Sequence, residues 1–188
     1  MKLQKFALFF LLITIVSCSN DDDGDDISIE VRDPEEVRDE NAAQIQDFFQ
    51  THFYKLVDNP ENPNFKTIVF DTIAGDNSNE VPISDSEFLK SKPVSLREID
   101  YTLYYLQFRK GVESTRKPTF ADSVLVSYKG MSLLEKKTFD GSPNPIWFDL
   151  TNNNIRGFYE VMDEFRGASG FQENNDGTVD FNDDFGFG

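Results

Sequence analysis

Asp122–Gly130 (DSVLVSYKG) and Thr138–Leu150 (TFDGSPNPIWFDL) decide how this chain is read. Val124, Val126 and Tyr128 occupy alternate positions, so one face of a strand carries all three. That strand is predicted over Ser123–Leu133. Tyr128 and Phe148 would line a core in any sheet. The Phe139-Asp140 pair is harder to explain by packing, because it sets a carboxyl beside an aromatic ring.

Upstream, Ile99–Lys110 (IDYTLYYLQFRK) is a run of β-branched and aromatic residues and predicts a second strand. Phe65–Ile73 (FKTIVFDTI) predicts another. Between them lie a polar turn at Gly75–Asn79 and a mixed stretch over 81–97, with a short helical turn over Ser86–Lys90. Residues 33–57 predict one helix. Asp33 serves as N-cap, Pro34 takes the first helical position and Glu36 follows three after the cap. Ile45, Phe48, Phe49, Phe53 and Leu56 recur at helical spacing. Asp58-Asn59-Pro60 ends the helix and Pro63 prevents a restart. His52 flanks that stripe without an apparent partner and reads as a packing residue. Asn174-Asn175-Asp176-Gly177, between Phe171 and Val179, lacks the acids of a calcium loop at its first and last positions. It reads as a hairpin turn.

With 188 residues, 38% of them apolar and 19 of them Phe, the chain suffices for one main domain and a small extension. A net charge of -16 argues against nucleic acid, whose phosphates need cationic partners. One His and one Cys exclude a zinc site built on several such ligands. No metal and no cofactor is expected. Catalysis, if any, must rest on carboxylates, hydroxyls, backbone groups or shape.

The N-terminus reads as an address. After Lys2 and Lys5, Phe6–Val16 (FALFFLLITIV) is too short to span a bilayer and has the length of a signal-peptide core. Ile15-Val16-Ser17-Cys18 resembles a bacterial lipobox, which implies lipidation of Cys18 and a membrane anchor. The acidic Ser19–Asp26 (SNDDDGDD) reads as a solvated tether and resembles the export signal of Bacteroidetes-type surface lipoproteins. The periplasmic and the outer face of the outer membrane both remain open. The expected organisation is a signal peptide over 1–17, a tether over 18–32, a helix and extension over 33–97, and a main domain over 98–188.

From residue 121 onward the chain resembles the FKBP-type peptidyl-prolyl cis-trans isomerases. Asp122–Gly130 is similar to the family's strand ending in Tyr-x-Gly, and Thr138–Ser142 to its Phe-Asp-Ser-Ser element. Pro145–Leu150 is similar to its Pro-Phe-x-Phe-x-Leu strand. Asn154–Glu160 (NIRGFYE) is similar to its Val-Ile-x-Gly-Trp-x-Glu helix start. The resemblance implies an α+β fold, a curved antiparallel β-sheet wrapped on a short helix. It implies catalytic pocket positions at Tyr128, Phe139, Asp140, Phe148, Ile155 and Phe158, with Ile146 and Trp147 contacting substrate. Ile155 matches the position whose backbone N–H binds a substrate carbonyl. Phe158 stands where the family has Trp, Ile146 where it has an aromatic wall, and Asn154 where it has Val.

The implied function is isomerisation of prolyl bonds in exported or envelope proteins, with proline-containing polypeptides as clients and the bilayer, through acylated Cys18, as anchor. A non-catalytic chaperone or binding module and a gliding-accessory lipoprotein on the same fold are the alternatives. The family's Ile-Pro loop and final strand have no counterpart before Gly188. The main domain is therefore expected to lack its closing strand and to show an open sheet edge, impaired folding and low activity.

Overall fold

Asp33 starts the first helix as its sequence predicts. Its carboxylate accepts from the Glu35 N–H at 2.8 Å, and Pro34 fills the first helical position, where no N–H is needed. In the computed structural model, which describes residues 31–60, 65–133, 135–151 and 155–188, helix α1 spans Pro34–Thr51. The segments expected as signal peptide and, apart from residues 31 and 32, as tether, with Cys18, Pro63 and Asn154, lie outside the described residues. No described helix is long and apolar enough to cross a membrane.

Helix α1 is shorter than predicted. His52 turns extended (φ -123, ψ 155), and His52–Asp58 is a strand, β1, where the sequence predicts two more helical turns. The reason lies in its partner. Strand β2 (Lys66–Thr72) pairs antiparallel with β1 from His52 opposite Thr72 to Asp58 opposite Lys66. Phe53 and Leu56 satisfy helical spacing, yet HFYKLVD is aromatic and β-branched enough to form a ladder once a neighbour is present. Phe53 is buried in the result, at 2% exposure. Phe48 and Phe49 remain on the helix and pack as expected. Phe48 meets Phe70 at 5.6 Å and Phe49 meets Tyr104 at 5.1 Å, both edge-on. His52 stacks on Phe48 at 4.1 Å, and its Nδ1 lies 2.9 Å from the Thr51 hydroxyl.

The mixed stretch holds two 3-10 turns, Gly75–Asn77 and Ile83–Asp85, then strand β3 (Leu89–Leu96). The helical turn predicted at Ser86–Lys90 sits a few residues earlier, at Ile83–Asp85. Strand β4 (Ile99–Leu106) pairs back on β3, with Leu96 opposite Ile99. The turn between them is Arg97-Glu98, at φ 51 and 66, a left-handed pair that favours Asn and Gly. The 97/98 boundary expected from the sequence falls within this turn. Replacing Arg97→Asn together with Glu98→Gly should raise the unfolding free energy by about 1 kcal/mol, since each L-residue there carries about 1–2 kcal/mol of strain, part of it offset by the entropy of glycine. A urea melt checks it, and a lower midpoint counts against the turn.

Strand β5 (Ser123–Met131) and strand β6 (Thr138–Asp149) form the longest hairpin. The two motifs that decided the sequence reading are therefore one ladder. Helix α2 (Arg156–Met162) follows, then a small hairpin of β7 (Phe171–Glu173) and β8 (Val179–Phe181). Its turn holds the Asn-Asp-Gly step with Gly177 at φ 83, and the Gly177 N–H donates to the Asn174 carbonyl at 3.0 Å.

The architecture is thus α+β, with two helices and four antiparallel two-stranded sheets among the described residues. The ladders are grouped as four hairpins, where the resemblance implies one curved sheet. Among the described residues, Phe53, Phe65, Ile83, Leu106, Leu150 and Val179 are the buried apolar ones. The last residues strap across the chain beyond β4. The Phe187 N–H donates to the Arg109 carbonyl at 2.8 Å and the Arg109 N–H returns the bond at 3.0 Å. The Arg109 guanidinium lies 4.4 Å over the Phe185 ring.

Asp122 fixes the loop that leads into β5. It takes the fork of Arg116 and accepts from the Thr119 N–H at 2.7 Å and hydroxyl at 2.8 Å. The Arg116 hydrogen bonds, followed by those of Thr119, hold its carboxyl far below the usual carboxylate range. A depressed folded-state pKa contributes stability above the unfolded value, about 3.9, that is lost as pH falls. Asp122→Asn should therefore melt below the parent at pH 7, with a gap that begins to shrink below about pH 4. A gap that widens in acid would contradict this.

Candidate functional site

The β5–β6 ladder explains how the predicted site residues assemble. Val124 pairs with Phe148, Val126 with Ile146, Tyr128 with Ser142 and Gly130 with Asp140. Paired residues share a face, so Tyr128, Asp140, Ile146 and Phe148 project together. Two irregularities in β6 set their aim. Pro143–Pro145 bulge out opposite Ser127, and Phe139 is the extra residue between the Asp140 and Thr138 pairs. Bulges of this kind re-aim side chains locally.

The Tyr128 hydroxyl donates to Asp140 Oδ2 at 2.8 Å. Asp140 Oδ1 accepts from the Gly141 N–H, also at 2.8 Å. The carboxylate is therefore held at both oxygens. Its hydrogen bond, with smaller contributions from burial and charge, raises the Tyr128 hydroxyl above the usual tyrosine range. The phenol stays protonated through neutral and mildly alkaline pH.

Phe148 and Phe158 pack on the Tyr128 ring of that pair. Tyr128 and Phe148 meet edge-on at 5.2 Å, Tyr128 and Phe158 at 6.0 Å, and Phe148 and Phe158 at 4.9 Å. Such edge and tilted contacts suit aromatic quadrupoles. Phe158 arrives on α2, which is held from the other hairpins. Lys92 Nζ on β3 donates to the Glu160 carbonyl at 2.8 Å and to Asp163 Oδ1 at 2.7 Å. Gly157 lets α2 approach β4, since a Cβ there would stand 3.3 Å from Leu103 Cδ1. Burial would lower the Lys92 ammonium, but Asp163 and Glu164 outweigh it and raise it, so this tie stays charged at neutral pH.

Phe139, Ile146 and Ile155 are exposed large apolar residues around this cluster. Phe139 is 58% exposed, and its ring lies on Gly130, where a Cβ would come within 2.6 Å of Cε2. Ile155 caps α2 without a side-chain hydrogen bond. Trp147 is set apart from the other predicted site residues. It pairs with Leu125, faces the opposite side of the hairpin and meets Phe171 at 5.9 Å.

Two hollows lie elsewhere. One of about 380 Å³ separates α1 from the β5–β6 tip, lined by Phe48, His52 and Leu133, with Asp47 and Lys136 at its sides. One of about 160 Å³ lies between β3–β4 and α2, against Leu103 and Gly157. Neither includes Tyr128, Asp140 or Phe148. The Tyr128 cluster is thus an apolar face with a fixed carboxylate and an apolar rim. Among the described residues no three His, Cys, Asp or Glu side chains converge as metal ligands. No family model, curated protein or solved structure matches the chain.

The sequence missed the supports of this face. The Lys92 anchor sits on a strand that the mixed stretch hid. The alternation of Val94 and Leu96 with Pro93 and Ser95, in phase with Lys92, was the available signal, weakened by Pro93 within the run.

Proposed function

We propose that this chain is an FKBP-type peptidyl-prolyl cis-trans isomerase, held on the bacterial envelope through a lipidated Cys18 and serving exported proteins. The supporting observation is the hydrogen-bonded Tyr128–Asp140 pair against Phe148 and Phe158, with Phe139, Ile146 and Ile155 at the rim. Every one of these residues comes from the motifs that carry the resemblance.

The chemistry needs no nucleophile. Rotation about an X-Pro bond is slow because the twisted amide loses resonance, at a barrier of about 18–20 kcal/mol. The twisted state is less polar in its carbonyl than the planar one. A face of rings that receives the prolyl ring and displaces water favours the twisted state over the planar one, and only that difference accelerates the reaction. Each 1.4 kcal/mol of such preference gives about tenfold. Asp140, fixed at both oxygens, sets the Tyr128 ring and orients polar groups of the client at the edge. The curved sheet of the family belongs to the same proposal, with β5, β6 and α2 as its site-bearing part.

A second reading is a holding module without catalysis. The exposure of Phe139, Ile146 and Ile155 favours it, because an open apolar rim retains extended chains without enclosing a proline. Exchange NMR on a short Ala-Leu-Pro-Phe peptide with the full chain separates the two. Faster cis/trans exchange is expected, lowered about tenfold in Tyr128→Phe, which removes one hydrogen bond to a charged group. Binding without faster exchange supports the holding module. Activity should stay level from about pH 6 to 9, since the raised Tyr128 hydroxyl does not titrate there.

A further inference from the structure

The opposite face of the β5–β6 hairpin carries a second aromatic feature that the isomerase proposal does not use. Trp147 is 58% exposed and Phe171 41%, and their rings meet edge-on at 5.9 Å. Two strands bring them together, β6 and β7. Phe171 is backed by its cross-strand neighbour Phe181, which packs on Phe65 at 5.8 Å and on Phe185 at 4.6 Å. The pair is therefore a supported platform rather than two loose rings.

Carboxylates bracket it. Side chains two apart on a strand share a face, so Asp149 stands beside Trp147 and Glu173 beside Phe171. Asp149 is fixed by the Thr151 N–H at 2.8 Å and hydroxyl at 2.7 Å, and those bonds hold it ionised. Residues 167–188 contain Glu173, Asp176, Asp180, Asp183 and Asp184 and no Lys or Arg. Lys129, on the same face of β5, sits further along the ladder, opposite Gly141.

We infer that the Trp147–Phe171 face docks an extended polypeptide segment bearing Arg or Lys side chains. A guanidinium or ammonium over an exposed indole is attracted by the ring's negative face, and Trp is the best ring for this. Asp149 and Glu173 supply the matching charge at either side. A second copy of this chain is disfavoured by its own net charge of -16, and an anionic lipid surface by the same field. The site is distinct from the Tyr128 face, so a client engaged there by a proline segment has a second point of contact for its basic residues.

Trp147 is the only tryptophan in the chain, so fluorescence excited beyond the absorption of the six tyrosines reads this face alone. The probe is a capped Gly-Arg-Gly-Arg-Gly peptide, with the Gln and Glu versions as comparators, titrated into the full chain at ionic strength of about 0.02 M. A saturable fluorescence change is expected with the Arg peptide only. It should weaken about threefold in Glu173→Gln, the worth of one exposed ion pair, and again in about 0.5 M salt. Phe171→Leu keeps apolar bulk, removes the second ring and should weaken it as well. Equal changes with the Gln peptide, no saturable change with the Arg peptide, or an unaltered response in Glu173→Gln would overturn the inference. So would a signal that follows the protein's own concentration, which would assign the face to a second copy, or one produced only by phosphatidylglycerol vesicles.

Discussion

Phe53→Ala is expected to lower the unfolding free energy by about 3–5 kcal/mol, the range for emptying a buried aromatic site. Phe53 is 2% exposed on β1, and Lys55 Nζ lies 4.8 Å over its ring. Among the described residues the buried apolar set is small, comprising Phe53, Phe65, Ile83, Leu106, Leu150 and Val179. One large member of a small core leaves a cavity that few neighbours can fill. Whole domains are stable by only about 5–15 kcal/mol, so this loss takes much of the total. A urea melt measures it through the midpoint at an unchanged slope. A shift below about 1 kcal/mol would mean that β1 is not the anchored strand described above.

The second large effect concerns activity rather than stability. Phe148→Leu should cost about tenfold in the rate of prolyl isomerisation, equivalent to about 1.4 kcal/mol of lost preference for the twisted amide. Phe148 makes the two shorter of the three ring contacts, with Tyr128 at 5.2 Å and with Phe158 at 4.9 Å. Leucine keeps the face apolar, so folding survives while the flat wall is lost. On a short peptide without basic side chains, such as Ala-Leu-Pro-Phe, Trp147→Leu leaves the rate unchanged, since that ring stands on the other face. Equal losses at both positions would place the chemistry elsewhere.

Much of the site was legible because strand alternation alone decides which residues share a face. Val124, Val126 and Tyr128 share it as the sequence predicts, and Phe148 joins them. The convergence of Tyr128 and Asp140 was legible only through the family motifs, because their approach depends on how β5 and β6 register. The same rule, applied to PIWFDL, already separates Trp147 from Phe148. The resemblance grouped them, and the ladder divides them. The fold was less legible where pairing partners decide. HFYKLVD carries helical spacing together with aromatic residues that suit a strand, and pairing with β2, the next element along the chain, selected the strand. Strand β3 was hidden by Pro93 and by polar residues on its exposed side. The strap of Asp184–Gly188 onto Arg109 had no local signal, because a backbone bridge between such distant residues is invisible to periodicity.

The central claim is that the Tyr128–Asp140 face turns prolyl bonds. The most direct measurement is refolding of a protein limited by proline isomerisation, with catalytic amounts of the full chain and of its Asp140→Ala variant, both shown by circular dichroism to be folded. The account predicts a faster slow phase with the parent chain and about tenfold less acceleration with Asp140→Ala. An unchanged slow phase with folded parent chain, or equal acceleration by both, would contradict it.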